Sequence, residues 1–420
     1  MTPHDRFGNP IDPAAGFARG AILASATEDG RRQRQGVALI RERVLRLGMA
    51  SVGIFTGNRR NFLLGEADIS TLAEEWIGPS LYGEALAAAI RAHLAAPPEA
   101  ACFVFNRGSA ALAASMLALA PQGRVVSVVP ETGRSHPSLR RGAVIAGAGF
   151  EEIEGITALP ALLATPASVL VVTTVTSSLA RLPEAGIAEA AALGRRAGLP
   201  VLLDDAYGAR IRTVLHGGAP GFAHGADLVV TNADKAGLPG PRAGVMAGDA
   251  ALMARIIAAG SLLGMEARAP VAAGVLRGLE AYSPDDLRHE AAQGTALSGA
   301  LIARLGGDAV ERTDLGPMVS ADEVLALTCA RAGIGGPPVV PVEATAALGM
   351  LLMQGHGILT TNIAGQPGSH PALRLKPAGP ALERCGGVKA VAQAVDEGIS
   401  AVAAMLKDPA AFRPLLLGQG

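Results

Sequence analysis

Lysine is scarce in this chain, and one lysine stands apart from the others. The 36 basic residues include only four lysines, at Lys235, Lys376, Lys389 and Lys407, so that Lys235 is the only lysine in the first 375 positions. Arginine serves equally well as a solvated surface charge, but its pKa above about 12 prevents it from acting as an amine nucleophile. Lys235 follows the apolar run of VVTNADK, in a predicted turn. This placement suggests a Schiff-base lysine.

A pair of acidic residues follows another predicted strand, PVLL. Asp204 and Asp205 end this apolar run. A carboxylate at the end of a buried strand is costly unless it meets a cationic or protonated partner. A protonated pyridine nitrogen is such a partner, and keeping that nitrogen protonated makes the ring an electron sink. One member of the doublet is expected to be an ordinary turn residue, and the pattern alone leaves open which one.

A third polar segment lies where the predicted strand ACFVF meets a helix. Arg107, Gly108 and Ser109 occupy this junction, at which free backbone N–H groups of the helix can bind a phosphate. Ser109 alone fits an ordinary helix N-cap equally well. Together with Asp204 and Lys235 at other strand ends, however, the junction completes a set of three anchors. Phosphate, ring nitrogen and aldehyde are the three parts by which a protein holds pyridoxal phosphate.

The elements that must position these residues alternate along the chain. Between about 101 and 248, short apolar runs alternate with amphipathic stretches, a pattern typical of parallel strands joined by crossover helices. We therefore predict an N-terminal helical segment over 1–100, a large α/β domain over 101–270 and a smaller C-terminal domain over 271–420. The predicted strands are ACFVF, RVVSVVP, SVLVVTTV, PVLLDD, ADLVVT and AGVMAG.

Composition limits the classes of partner. Of the 420 residues 50% are hydrophobic and 17% charged, and the net charge is −1, so no field of one sign attracts nucleic acid or an anionic membrane. Three cysteines without metal-ligand spacing fit a reducing compartment. The N-terminus lacks a signal pattern, and no apolar run is long enough for a membrane span. We expect a cytoplasmic protein with a small-molecule substrate and no metal.

Five blocks of the sequence are similar to a known group of proteins. From about 50 to 400 the chain resembles the fold-type-I pyridoxal-phosphate superfamily, within it the archaeal-type family of the selenocysteine-synthase-related branch. The resemblance implies the fold-type-I transferase fold, with a mostly parallel sheet in the large domain and a smaller C-terminal α+β domain. The blocks are SHPSLRRG, LDDAYGAR, ADLVVTNADK, GPRAGVMAG and GILTTNIAGQPG.

The resemblance assigns roles around the cofactor. It implies Lys235 as the Schiff-base lysine, Asp204 on the pyridine nitrogen and His136 stacked on the ring. Arg107, Gly108 and Ser109 are implied around the phosphate. A solvated loop residue is the alternative interpretation of His136.

Further contacts follow from the same resemblance. Thr176 and Ser177 lie where the superfamily often binds the ring hydroxyl. Asn232 stands where the superfamily usually has a phosphate-binding serine, and its amide can donate instead. Arg242 is implied as a second phosphate or substrate contact, and Arg374 resembles the C-terminal arginine that binds a substrate carboxylate.

Three pocket residues remain unranked by sequence alone. Tyr82, Tyr207 and Arg210 are candidates for substrate contacts, and Tyr82 is expected near the cofactor of a second subunit. Because relatives of this fold build each site at a subunit boundary, we expect a homodimer or a higher homo-oligomer. Residues 1–100 lack a dense basic patch, so a tRNA partner is not expected.

The implied reaction is removal of an α-proton followed by β-elimination or β-replacement on a small amino acid or amino sugar acid. A lyase or a selenocysteine-synthase-like transferase is therefore the favoured hypothesis. An aminotransferase is the alternative enzyme, since the same residues serve both reactions. A non-catalytic, regulatory pyridoxal-phosphate protein is the alternative from another class.

Overall fold

The computed structural model describes residues 4–12, 15–364 and 371–418. Their contacts divide the chain into two compact units. Met1–Gly57 and His289–Gly420 form the first unit, and Asn58–Arg288 form the second. The first unit thus joins the two ends of the chain, while the second is continuous in sequence. The division at 100 and 270 stays a prediction.

The strands are, in chain order, β1 (Ile11–Asp12), β2 (Phe17–Ala18), β3 (Gly53–Ile54), β4 (Ala101–Phe105), β5 (Arg124–Val129), β6 (Gly149–Glu154), β7 (Val169–Thr173), β8 (Val201–Asp204), β9 (Leu228–Asn232), β10 (Gly244–Gly248), β11 (Glu311–Thr313), β12 (Gly316–Ser320), β13 (Ile358–Leu359) and β14 (Ala372–Arg374).

The helices are α1 (Ala26–Leu47), α2 (Ile77–Leu94), α3 (Gly108–Leu119), α4 (Pro137–Ile145), α5 (Leu159–Leu163), α6 (Glu184–Arg196), α7 (Gly208–Arg210), α8 (Ala250–Ser261), α9 (Ala269–Glu280), α10 (Pro284–Leu305), α11 (Ala321–Ala332), α12 (Pro341–His356), α13 (Thr361–Ala364), α14 (Ala381–Arg384), α15 (Gly387–Leu406) and α16 (Phe412–Leu417). A π-helical turn, Ile211–Leu215, continues α7.

The second unit is built on a seven-stranded sheet. Its strand order is β4-β10-β9-β8-β7-β5-β6, in which β5 to β9 are parallel and β10 runs antiparallel to both β4 and β9. The six strands predicted from the sequence are all present. Their near-continuous Val and Leu content is typical of parallel strands that are covered on both faces.

Helices cover both faces of this sheet. Because side chains alternate along a strand, Val171 packs in one hydrophobic cluster, while Leu170 and Val172 pack in another. Helices α3, α4 and α8 contribute to the first cluster, and α2, α6 and α9 to the second. The unit is therefore an α/β/α sandwich, which confirms the predicted α/β class with a mostly parallel sheet.

The first unit packs its helices against short strands. β3 pairs with β13 in parallel, and β12 lies between β11 and β14 in an antiparallel sheet. The buried Glu343 accepts hydrogen bonds from the backbone N–H groups of Ile22 and Leu23, both at 2.8 Å. This carboxylate compensates N–H groups that no regular element satisfies, and it joins the N-terminal segment to α12.

Two negative observations apply to the described residues only. None of their helices combines the length and hydropathy that crossing a bilayer requires. No three His, Cys, Asp or Glu side chains among them form a group suited to a metal ion.

Candidate active site

The sheet of the second unit brings the predicted segments to one edge. β5, β7, β8 and β9 are parallel, so their carboxyl ends share that edge, and β4 ends there too because it is antiparallel to β10. Ligands of open α/β sheets bind at this edge. The predicted site residues that end or follow these strands are Arg107, Gly108, Ser109, His136, Thr176, Ser177, Asp204, Asn232 and Lys235.

Asp204 is a buried carboxyl group with an unsatisfied oxygen. It ends β8, in register with Thr173 of β7 and Val230 of β9. The residue is 3% exposed, and among the described residues its Oδ1 has no hydrogen-bond partner. Burial raises its pKa to about 6, although the nearby charge of Lys235 opposes that rise. A buried polar atom left in this state marks a place where a ligand can bind.

Asp205 has the opposite environment. Arg212 donates to both of its oxygens, Nη2 to Oδ2 at 2.9 Å and Nε to Oδ1 at 3.3 Å, and the Thr174 hydroxyl donates to Oδ1 as well. Successive side chains of a strand point to opposite faces, which explains why neighbours differ so much. Asp205 is fully compensated within the protein, and Asp204 is the carboxyl group that remains available.

Thr173 carries a signal that sequence reasoning missed. Its hydroxyl oxygen is buried, and no described group bonds to it. Since registered neighbours in a sheet share a face, the Thr173 and Asp204 side chains lie on the same side. Two unsatisfied polar atoms thus occur together at the carboxyl edge. The pattern VLVVT predicts an ordinary strand residue at Thr173, so only the strand register shows that its hydroxyl lies on the same face as Asp204.

Lys235 lies in the turn that follows β9. Its ammonium group is 4.4 Å from the centre of the Tyr207 ring. Burial lowers the pKa of Lys235, the carboxylates of Asp234 and Asp204 oppose this, and the charges of Arg210 and Arg242 lower it further by smaller amounts. The backbone then reverses, with left-handed φ angles of 49° at Ala236 and 77° at Gly237. The amine is therefore held on a tight turn and loses its proton more readily than an exposed lysine.

His136 caps helix α4 after β5. Its Nδ1 accepts from the backbone N–H of Ser138 at 3.2 Å. Burial, together with the charges of Lys235 and two arginines, lowers the pKa of His136 to about 3. The imidazole is neutral near pH 7, and its Nδ1 is an acceptor, so the remaining proton belongs on Nε2.

The start of α3 lies against the end of β9. A Cβ atom at Gly108 would come within 2.0 Å of Asn232 Oδ1, so only glycine allows this approach. Arg107, at the N-cap position, makes no capping hydrogen bond with its side chain. Ser109 occupies the first turn. The junction therefore presents helix N–H groups beside an amide side chain, a combination that suits a phosphate.

Arg242 belongs to a second charged group beside the lysine turn. The buried Asp234 carboxylate binds Arg60 Nη2 at 2.7 Å and lies 3.9 Å from Arg242 Nε. Burial, followed by repulsion from Arg60, lowers the pKa of Arg242. Arg60 and Asp234 were not predicted from the sequence, although Asp234 directly precedes Lys235.

The remaining candidates are placed as follows. Thr176 is buried, and its hydroxyl lies 2.9 Å from Ser178 Oγ and accepts from the Ala180 N–H at 3.1 Å, while Ser177 is half-buried beside it. Tyr82 is buried in α2 and donates to the Ala269 carbonyl at 3.1 Å. Arg374 is buried in β14 of the first unit, opposite Met318. Its contact with a substrate stays a prediction.

Comparison with known proteins decides the family. No family model matches the chain. A UPF0425 pyridoxal phosphate-dependent protein of Methanothermobacter thermautotrophicus is 32% identical over 400 residues, which cover 94% of this chain and 100% of that protein. The chain belongs to the UPF0425 family. The predicted superfamily and the cofactor named for the family agree, which confirms the resemblance found in the sequence.

Solved structures support the same fold. A complex of SepCysS with the SepCysE N-terminal domain gives a TM-score of 0.57 at 14% identity, over 86% of this UPF0425 chain and 98% of that chain. An aspartate aminotransferase from Rhodobacter sphaeroides gives 0.53 at 17% identity, over 88% of this chain and 87% of that chain. The chain therefore has the fold-type-I pyridoxal-phosphate transferase fold.

The two aspartates should respond differently to loss of charge. Because the pKa of Asp204 is about 6 in the folded protein against 3.8 ordinarily, the folded state binds this proton more tightly. The contribution of this bound proton to the free energy of unfolding is complete below about pH 4 and is lost as the pH rises to about 6. In cofactor-free protein, Asp204→Asn should therefore raise the free energy of unfolding above pH 6, by up to about 3 kcal/mol.

Asp205→Asn is the matched control. It breaks a buried ion pair and should lower the free energy of unfolding at pH 7 by about 3 kcal/mol. Thermal unfolding of both variants and the wild type from pH 4 to 7.5 measures the difference. Equal destabilisation by the two substitutions would show that Asp204 also has a compensating partner.

Proposed function

We propose that this chain is a pyridoxal-phosphate enzyme whose covalent lysine is Lys235 and whose ring-nitrogen partner is Asp204. The observation that carries the proposal is the contrast between the two adjacent buried aspartates. Asp205 is paired with Arg212, whereas Asp204 Oδ1 lacks a partner among the described residues. A protonated ring nitrogen supplies the positive charge and the N–H donor that this unbonded oxygen requires.

The other parts of the cofactor match groups along the same sheet edge. The aldehyde requires an amine that gives up its proton, and the pKa of Lys235 is lowered by burial. The phosphate suits the N-terminus of α3, at Gly108 and Ser109, with Asn232 alongside and Arg242 as a further contact. The neutral His136 ring is suited to stacking, and Thr176 and Ser177 to the ring hydroxyl.

The residues then have distinct tasks in turnover. When bound, pyridoxal phosphate supplies an aldehyde that condenses with amines and a ring that withdraws electrons from the substrate. Asp204 holds the proton on the ring nitrogen. Lys235 Nζ, once displaced by the substrate amine, takes the α-proton as general base. Arg374 binds the substrate carboxylate. Tyr207, whose ring lies beside Lys235 Nζ, is a further substrate contact.

We further propose β-elimination or β-replacement on a small amino acid or amino sugar acid. In elimination, the α-proton moves to Lys235 and the β-substituent leaves with its bonding electron pair. In replacement, a second nucleophile then bonds to the β-carbon and Lys235 returns a proton to the α-carbon. The resemblance to the selenocysteine-synthase-related branch supports this reaction, and the net charge of −1 supports a small-molecule substrate over tRNA.

A second copy of the chain is proposed as the partner. Large apolar side chains are exposed over residues 63–81 of the second unit, and Trp76 is 85% exposed. Trp76 and Tyr82 line the same cavity of about 590 Å³. Apolar surface of this kind is typical of a protein interface. The other exposed residues of this segment are Leu63, Ile69, Ile77 and Leu81.

Labelling of the lysine tests the cofactor assignment. Protein purified with pyridoxal phosphate should be yellow, and borohydride should fix the cofactor on Lys235 Nζ, as read by peptide mapping. Lys235→Arg should abolish the adduct because guanidinium does not deprotonate to attack the aldehyde. Lys389→Arg, at an exposed lysine, is the control and should leave it intact. An adduct on Lys376, or none, contradicts the assignment.

A panel of amino acids tests the reaction. Formation of ammonia and a keto acid without an acceptor indicates a lyase, and a product that requires an added thiol or selenol indicates replacement. Conversion of the bound cofactor to its pyridoxamine form, measured by absorbance, indicates an aminotransferase and overturns the proposed reaction. Spectra unchanged by every substrate favour a regulatory protein.

Light scattering tests the proposed dimer. The wild type should be at least dimeric, and Trp76→Glu should shift it towards the monomer because it places a charge in an apolar interface. Val144→Glu changes an exposed apolar residue of α4 and should leave the assembly unchanged. A wild-type monomer with full turnover would exclude a shared active site.

A further inference from the structure

Arg210 is a fully buried cation next to the lysine turn. It ends α7, six residues after Asp204, and is 1% exposed. Its described hydrogen-bond partners are three backbone carbonyl groups and one histidine. No carboxylate in the described part of the chain forms an ion pair with it. Burial lowers the pKa of Arg210, and the nearby charges of Asp205 and Asp234 stabilise the cation only at a distance. A buried guanidinium without a direct ion pair is costly, so its position calls for a physical reason.

The carbonyl partners of Arg210 bracket the turn that carries Lys235. Nε donates to the Lys235 carbonyl at 3.0 Å, and Nη2 donates to the Asn232 carbonyl at 2.8 Å. Nη2 also reaches the Ala206 carbonyl at 3.3 Å, two residues after Asp204. One planar fork therefore connects the end of β8 with both ends of the turn, a geometry that a lysine side chain does not reproduce.

The fourth hydrogen-bond partner of Arg210 is a neutral side chain. Arg210 Nη1 lies 3.0 Å from His93 Nε2. Burial, followed by the charge of Arg210, lowers the pKa of His93 to about 3, so the imidazole is neutral and Nε2 accepts. The His93 ring also meets the edge of Tyr282, at 5.0 Å between centroids. His93 thus supplies an acceptor without supplying a negative charge.

Arg212 shows what an ordinary buried arginine looks like in this fold. It is buried to the same extent, but it binds the carboxylates of Asp205 and Glu184, each at 2.9 Å. The two arginines stand two positions apart, and of the two only Arg212 forms direct ion pairs within the described residues.

We propose that Arg210 is a positioning residue that fixes the turn 232–235 by its carbonyl contacts and, through a charge that is not bound directly to a carboxylate, favours the neutral amine of Lys235. The inference rests on the proposed function of Lys235. Its two parts are separable, since Arg210→Lys retains a cation but not the fork, and Arg210→Gln retains donors but no charge.

Pulse labelling of cofactor-free protein with acetic anhydride across pH tests the effect on the amine. The extent of acetylation of Lys235, read by mass spectrometry, gives its titration midpoint, with the exposed Lys389 and Lys407 as internal references. The wild-type midpoint should lie below both references. Arg210→Gln should raise it by about one pH unit or more, because a nearby cation is removed.

The other variants separate the two parts of the proposal. Arg210→Lys should keep a lowered midpoint but release pyridoxal phosphate faster than the wild type on dialysis. Arg195→Gln is the matched control, since Arg195 also donates to backbone carbonyls, those of His224 and Gly225, and should change neither readout. Circular dichroism confirms folding of each variant.

Three outcomes overturn the proposal. A wild-type Lys235 midpoint equal to that of Lys389 removes its premise, and a folded Arg210→Gln with an unchanged midpoint removes the charge effect. If neither Arg210 variant folds, Arg210 is a structural residue only. Borohydride trapping on Lys235 of the wild type remains the separate test of the proposed function, so failure of one inference is distinguishable from failure of the other.

Discussion

The organisation of the site depends on one uncompensated carboxyl group at the end of β8. Strand alternation places Asp204 and Asp205 on opposite faces, and the protein neutralises only Asp205, through Arg212 and Thr174. One oxygen of the buried Asp204 carboxyl group has no hydrogen-bond partner among the described residues, which reduces the stability of the protein alone. In the proposed assignment a cationic ring nitrogen would bond to this oxygen, so cofactor binding would regain the free energy that the protein alone loses.

A similar arrangement applies to the cations of this edge. Lys235 and Arg210 are close enough to influence each other, and within the described part of the chain neither forms the direct carboxylate ion pair that joins Arg212 to Asp205. Burial and the positive charge of Arg210 favour the neutral amine of Lys235, whereas the carboxylates of Asp234 and Asp204 favour the charged form. Arg210 lies in α7 and Lys235 in the turn after β9, and the hydrogen bond from Arg210 Nε to the Lys235 carbonyl joins these two segments.

The sequence predicted the parts of this picture that depend on local pattern. Apolar runs identified the central strands, and the scarcity of lysine pointed to Lys235, whose covalent role stays a prediction. Local pattern does not show which side chains pair with each other. Asp204 and Asp205 differ because Arg212 binds Asp205 but not Asp204. Arg210 and Arg212 differ because, of the two, only Arg212 binds carboxylates directly within the described residues. Only the sheet register shows that Thr173 lies beside Asp204. Likewise, no feature of Gly53–Ile54 indicates its pairing with Ile358–Leu359.

That last pairing has a consequence for the order in which the chain becomes structured. The second unit is one uninterrupted segment, so it can fold on the ribosome as soon as it emerges. Ile22, Leu23 and Gly53–Ile54 are synthesised before this unit, but the strand partner of Gly53–Ile54 and the Glu343 carboxylate that binds Ile22 and Leu23 arrive more than 280 positions later. These residues therefore lack their native partners until the chain has been synthesised as far as residue 359.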